Sequence, residues 1–287
     1  MAGTVAARLP DGRLHLQEGP IDLVIGANGP CAAVEAAYAG AVSAFGGLLA
    51  LLVAELPLLR APVGEAPPPV TGPVARRMAA AVWPYRGEFI TPMAAVAGAV
   101  AEHVLAAMAP VPGLERAYVN NGGDIALHLA PGEAMRVGLV RSLRRALPEG
   151  MAVLRAEHGP RGIATSGWPG RSFSLGIADA VTVLAATAAQ ADAAATVVAN
   201  AVDAEHPAIR RVPAQSLDPD SDLGERLVTV GVGPLPLTVV QAALARGVAR
   251  AEVLRQEGLI MAALLAMGDA VQLVGGAESP RRSDTAP

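Results

Sequence analysis

The spacing of apolar residues changes period along the chain, and each change predicts an element. Two short alternating runs between Thr4 and Gln17 flank Pro10-Asp11-Gly12, which is turn chemistry, so this stretch reads as a hairpin. Ile21 to Gly26 reads as a third strand. Pro30 then opens an alanine-rich helix predicted to run towards Glu55, with Pro57 as its stop. Pro62, Pro67, Pro68 and Pro69 forbid helix in the linker from Pro62 to Pro73. Helices are predicted over Val74 to Val82 and Pro92 to Ala109, the second with proline at its favoured first position.

Further strands are expected at Ala117 to Asn120, Ile125 to Leu129, Met135 to Val140, Met151 to Glu157, Gly162 to Ser166 and Val181 to Ala186. Ala188 to Val202 reads as a helix. Asp203 to Arg226 is polar and proline-containing, and reads as an irregular insertion or a lid. A strand at Leu227 to Val232, a helix at Leu237 to Gln256 and a hairpin from Leu259 to Val274 about Gly268-Asp269 complete the chain. Strands come in clusters with helices between them, which favours an α+β fold of antiparallel sheets over a regular βαβ wind. Residues 1–275 are expected to form one domain of two lobes, and 276–287 a disordered tail.

Composition narrows the chemistry. Hydrophobic residues make up 52% of the 287 residues but aromatics only 3%, so the core rests on Ala, Val and Leu. There is no lysine; all 22 basic residues are arginine, as in proteins from GC-rich genomes. Schiff-base chemistry and the Walker-type phosphate loop both need that amine, and both are excluded. The net charge of -4 comes with no basic block, which argues against nucleic-acid binding. One cysteine, Cys31, excludes an intrachain disulfide and a multi-cysteine zinc site.

Met1 to Arg13 has no apolar run of the kind a secretory signal carries. Ala36 to Ala54 is uncharged, but it is flanked by Glu35 and Glu55 where a span would favour arginine, so a buried helix is expected there. A cytoplasmic protein without a membrane anchor is the resulting expectation. Alanine-rich helices leave self-association open.

Four segments carry candidate chemistry. Asn120-Asn121-Gly122-Gly123-Asp124 lies between two predicted strands; its glycines suit either a plain hairpin turn or close approach of a ligand to the backbone. Gly162-Ile163-Ala164-Thr165-Ser166-Gly167 takes a strand into two hydroxyls, which suits a strand exit or a phosphate or ring-edge contact. Asp192 and Thr196 are four apart on one helix and share a face that Asn200 extends and Asp203 approaches. Oxygen ligands so placed suit Mg²⁺; an N-terminal carboxylate and a solvated polar face are the alternatives. Thr91 to His103 is a small-residue helix in which Met93 and the free N-terminal amides could face a ligand. The histidines His15, His103, His128, His158 and His206 show no metal-ligand spacing, and Ser166 lacks the glycine that a nucleophile elbow places before the serine.

Taken in order, these segments resemble the ApbE family of FAD:protein FMN transferases. The glycine segment resembles its Asn-x-Gly-Gly-Asp motif, Ile163 to Gly167 its Ala-Thr-Ser-Gly strand end, Val181-Thr182-Val183 the strand before its metal helix, and Asp192 with Thr196 its Asp-x-x-x-Thr pair. The likeness covers roughly residues 90 to 205. Thr91 to Gly98 and Ile177 to Val183 look like a separate branch of that superfamily.

The resemblance implies a two-lobed α+β fold and a small-molecule partner, a flavin or a nucleotide-like pyrophosphate such as FAD or FMN. It implies Mg²⁺ held by Asp192 and Thr196, with a carbonyl near Gly122 as a third ligand. Asp124 would position or polarise. Met93, Asn121, Gly122, Gly123, Thr165, Ser166 and Gly167 would line the cofactor. The reaction implied is FMN transfer to a threonine, or hydrolysis of FAD to FMN and AMP. Transferases also carry His-His-Ile-x-Asp-Pro before the metal helix. Here Ser172 to Asp179 holds that place without histidine, and Asp179 either takes one of its roles or starts a strand. A protein that only holds its ligand, and an enzyme turned to another metabolite, follow as alternatives.

Overall fold

A computed structural model describes residues 4–139, 143 and 150–276. The elements in chain order are β1 (Val5–Arg8), β2 (Leu14–Glu18), β3 (Ile21–Asn28), α1 (Cys31–Phe45), α2 (Leu48–Ala54), α3 (Leu56–Leu59), α4 (Pro73–Val82), α5 (Val96–Met108), β4 (Arg116–Asn121), β5 (Asp124–Leu129), β6 (Ala134–Leu139), β7 (Gly150–Arg155), β8 (Gly162–Ser166), β9 (Ala180–Ala185), α6 (Ala188–Ala201), β10 (Ile209–Pro213), β11 (Leu227–Val232), α7 (Leu237–Gln256), β12 (Ala262–Met267) and β13 (Ala270–Gly275). Val140, expected to end a strand, and the tail from Ala277 onwards lie outside the described residues.

Nine strands form one sheet in the order β1-β2-β3-β4-β5-β8-β9-β12-β13, and every neighbouring pair is antiparallel. The α+β class expected from the strand clusters holds. The order repeats: β2-β3, helices, β4-β5 is followed by β8-β9, helices, β12-β13. Alternation along each strand sorts side chains between two layers. Leu16, Leu23, Ile25, Val119, Ala126, Ala164, Val181, Val183 and Leu265 join the main core with the helices. On the opposite face Leu127, Leu129 and Ile163 meet Val137 and Leu154 of the β6–β7 hairpin in a smaller cluster.

The helices sit close because their contact residues are small. In α6, Ala188, Ala189, Ala191, Ala193, Ala194, Ala195, Val197, Val198 and Ala199 are all buried. Three glycines admit its backbone. A methyl group on Gly98 would sit 2.2 Å from the Ala188 carbonyl oxygen, one on Gly162 2.1 Å from Thr187, and one on Gly176 2.1 Å from the Ala199 carbonyl oxygen.

Two expectations need correction. The helix from Pro30 to Glu55 is not continuous: Gly47, at φ 74°, breaks it into α1 and α2, a conformation open to glycine and costly for other residues. Cys31–Ala54 has the length and apolarity of a membrane span, but this break divides it, and Ala37, Tyr38, Ala41 and Phe45 of α1 enter the core. The stretch Asp203 to Arg226 is not wholly irregular, because β10 lies within it and pairs with β11. Charged residues at Arg210 and Arg211 hid the strand. A register shift between those two residues further blurs its alternation.

Candidate functional site

The β4–β5 connection is a tight glycine bend. Gly122 and Gly123 have φ of 68° and 118°, which L side chains rarely adopt. The Gly123 N–H donates to Asn120 Oδ1 at 2.8 Å and closes the turn. A side chain on Gly123 would meet nothing within 4 Å, so the bend faces open space. Asp124 follows at once, and the Thr165 N–H at the end of β8 donates to its Oδ1 at 3.2 Å.

Asp192 meets this bend from the helix layer. Helix capping does not explain it: the cap of α6 is Thr187, whose Oγ1 accepts from the Gln190 N–H at 3.3 Å, and Glu102 adds a carboxylate beside the Ala189 N–H. The Asp192 carboxylate turns inwards, where the Gly98 N–H at the start of α5 donates to Oδ2 at 2.9 Å. One residue before Gly98, the Ala97 carbonyl accepts from Asn121 Nδ2 at 3.2 Å, which ties the glycine bend to the same helix start. Three segments far apart in sequence therefore converge on two carboxylates.

Both aspartates keep some accessible surface although protein surrounds them. Burial pushes the Asp124 carboxyl up to about 7, while the Thr165 N–H draws it down. Burial also raises Asp192 well above the ordinary carboxylate range. The neighbouring Asp124 charge raises it further, and the N–H groups of Gly98 and Ala97 oppose the shift. Two anions held together at some cost suit a site whose working partner is a cation.

The donor set fits a hard cation. The two carboxylates are oxygen donors, and the Thr196 hydroxyl follows one helical turn beyond Asp192. Mg²⁺ is commonly bound by one or two carboxylates, with water and substrate phosphate completing the shell. No group of three His, Cys, Asp or Glu side chains converges among the described residues, so a zinc-type cage has no support there.

The other expected residues spread around this centre. Thr165 Oγ1 lies 2.9 Å from Thr182 Oγ1, so the hydroxyl is engaged with the next strand. Ser166 is half-buried beside it. Gly167 allows the chain to turn back, since a methyl there would lie 2.7 Å from the Asp179 carbonyl oxygen. Met93 is half-buried in a 3-10 turn before α5 and packs on the main core.

Asp179 does not join the acid pair in any hydrogen bond. Its Oδ2 accepts from the Gly268 N–H at 2.7 Å and its Oδ1 from Trp168 Nε1 at 3.3 Å, which fastens the β8–β9 loop to the β12–β13 turn. These residues line a cleft of about 580 Å³ with Val232, Leu235, Val240 and Met267. Asn200 also leaves the expected polar face, because its Oδ1 takes the Leu175 N–H at 3.0 Å and the Ser174 hydroxyl at 3.3 Å. Asp203 is paired with Arg211.

A family model described as AbpE bacteria matches residues 6–273. The chain belongs to that family. Relatives include UPF0280 proteins of Methanopyrus kandleri, 40% identical over 55% of this chain and 61% of the relative, and of Methanosphaerula palustris, 39% identical over 47% and 55%. The chain thus spans little more than half the length of these relatives. Two solved structures align along nearly the whole chain. The apo flavinyl transferase ApbE of Pseudomonas stutzeri has 13% identity and a TM-score of 0.46, covering 94% of this chain and 93% of its own. A mutant of the flavin transferase ApbE from Vibrio cholerae has 12% identity and a TM-score of 0.41, covering 95% and 97%.

Gly98 and Thr182 fall inside the segments picked out from the sequence, but the sequence assigns neither a role at this site. The one signal for Gly98 was a glycine early in an alanine helix, where its N–H is free to bond a side chain. Thr182 reads only as part of the strand before α6, with nothing to show that its hydroxyl meets Thr165.

Proposed function

We propose that the protein binds a nucleotide-like pyrophosphate, with a flavin dinucleotide as first candidate, through a divalent cation held at Asp192 and Asp124. The convergence of those carboxylates under an open glycine bend carries this reading. Membership of the AbpE bacteria family and the motif resemblance direct the choice of flavin. Bound there, Mg²⁺ would offset the phosphate charge and polarise the phosphoryl oxygens. The chain itself supplies the two carboxylates and the Gly98 and Thr165 N–H groups that orient them.

The cleft beside Asp179 suits the ring end of such a ligand. Thr165 touches the acid pair and Trp168 lines the cleft. Three residues span at most about 11 Å, so the edge of the cleft at Trp168 lies within that distance of Thr165.

A second reading, a holder that does not cleave its ligand, draws on Asp179. Both of its carboxylate oxygens are engaged with Trp168 and Gly268, and Ser172 to Asp179 contains no histidine. FAD added with Mg²⁺ or with EDTA separates the readings. Mg²⁺-dependent quenching of flavin fluorescence with release of FMN and AMP marks an enzyme; quenching without release marks a holder. Absence of binding under both conditions removes the flavin reading.

A further inference from the structure

We propose that Arg171 is the anion anchor of this site, its guanidinium taking a phosphate oxygen of the ligand bound at the acid pair. The inference rests on the pyrophosphate reading above and extends it to a residue outside the motifs. A methyl group built on Gly122 would have one neighbour within 4 Å, Arg171 Nη1 at 3.5 Å. The guanidinium therefore lies over the bend whose next residues are Gly123 and Asp124, and two residues of chain span no more than about 7 Å.

Arg171 makes no ion pair among the described residues, unlike Arg8, Arg13, Arg77, Arg116, Arg211, Arg250 and Arg255. Its side chain is exposed, and the Gly170 N–H to Gly167 carbonyl turn at 3.0 Å fixes where it leaves the backbone. Two carboxylates alone repel an anionic ligand. Positive charge beyond one divalent ion strengthens phosphate binding, and with no lysine in the chain arginine is the permanently charged side chain that can supply it. The planar fork also suits two phosphate oxygens at once.

Calorimetric titration of the full chain with FAD and with inorganic pyrophosphate, each with Mg²⁺, tests the assignment, with Mn²⁺ alone as a separate titration. R171Q is expected to bind both phosphate probes about 10- to 100-fold more weakly. It should bind Mn²⁺ as the wild type does, and R171K should recover part of the loss. Thermal melting checks that the exposed substitution leaves the fold intact. Equal affinity of R171Q and wild type for both probes would overturn the proposal. If the wild type binds pyrophosphate but not FAD, and R171Q loses that binding, the flavin reading falls and the role of Arg171 stands. Should the wild type bind neither probe, both fall.

Discussion

The Gly98 N–H donates to the Asp192 carboxylate at 2.9 Å across 94 residues of chain, and the same glycine lets the Ala188 carbonyl approach α5. One residue therefore gives its backbone N–H to the carboxylate and, by lacking a side chain, sets the distance between two helices.

Gly98→Ala is expected to force α5 and α6 apart, because its methyl would lie 2.2 Å from a backbone oxygen that has no rotamer to yield. Overpacking of this kind costs about 1–3 kcal/mol or more. The urea midpoint should fall accordingly, and divalent-ion binding should weaken with it.

Asp192→Asn removes one of two facing charges and keeps an oxygen for the Gly98 N–H. Without metal the variant should be at least as stable as the wild type at pH 8. The rise in melting temperature that Mg²⁺ gives the wild type should vanish. A retained rise would mean that Asp192 is no ligand.

Stability without metal should depend on pH through Asp124. Its folded pKa, about 7, lies above the ordinary value of 3.8. A group raised in this way contributes its full stability below the unfolded pKa and loses it as pH climbs through the folded one. Urea unfolding between pH 4 and 8 should show a decline of at most roughly 4 kcal/mol from this group. Asp124→Asn should flatten that decline, as should saturating Mg²⁺.

Asn200→Ala should separate structure from site. It strips acceptors from the Leu175 N–H and the Ser174 hydroxyl, at a cost of about 1–3 kcal/mol. Metal affinity should be unchanged, since Asn200 faces that loop and not the acid pair.

Much of this architecture was legible because local chemistry and tertiary context agree. The Pro10-Asp11-Gly12 turn between β1 and β2 and the Asn-Gly-Gly-Asp turn between β4 and β5 each specify a tight reversal. The interruption at Gly47 was hidden by apolar residues on both sides, and β10 by its arginines. At the site, the spacing of Asp192 and Thr196 marked a shared face, but spacing cannot tell a face turned to solvent from one turned inwards. That depended on Thr187 taking the cap and on Gly98 lying opposite. Asn200 shares the same spacing and went elsewhere, because the loop at Ser174 reached it first.

The burial of α6 on nearly every side also bears on how such a protein can diverge. Wedged between sheet and neighbouring helices by methyl-sized contacts, that helix can neither rotate nor accept bulk, so the carboxylate it carries is immovable. Diversification is left to the exposed stretch of the β8–β9 connection at Arg171, Ser172 and Phe173, since Gly176, Ile177 and Ala178 are packed into the frame. Siblings on this scaffold should keep that carboxylate in place and differ in the side chains set around it.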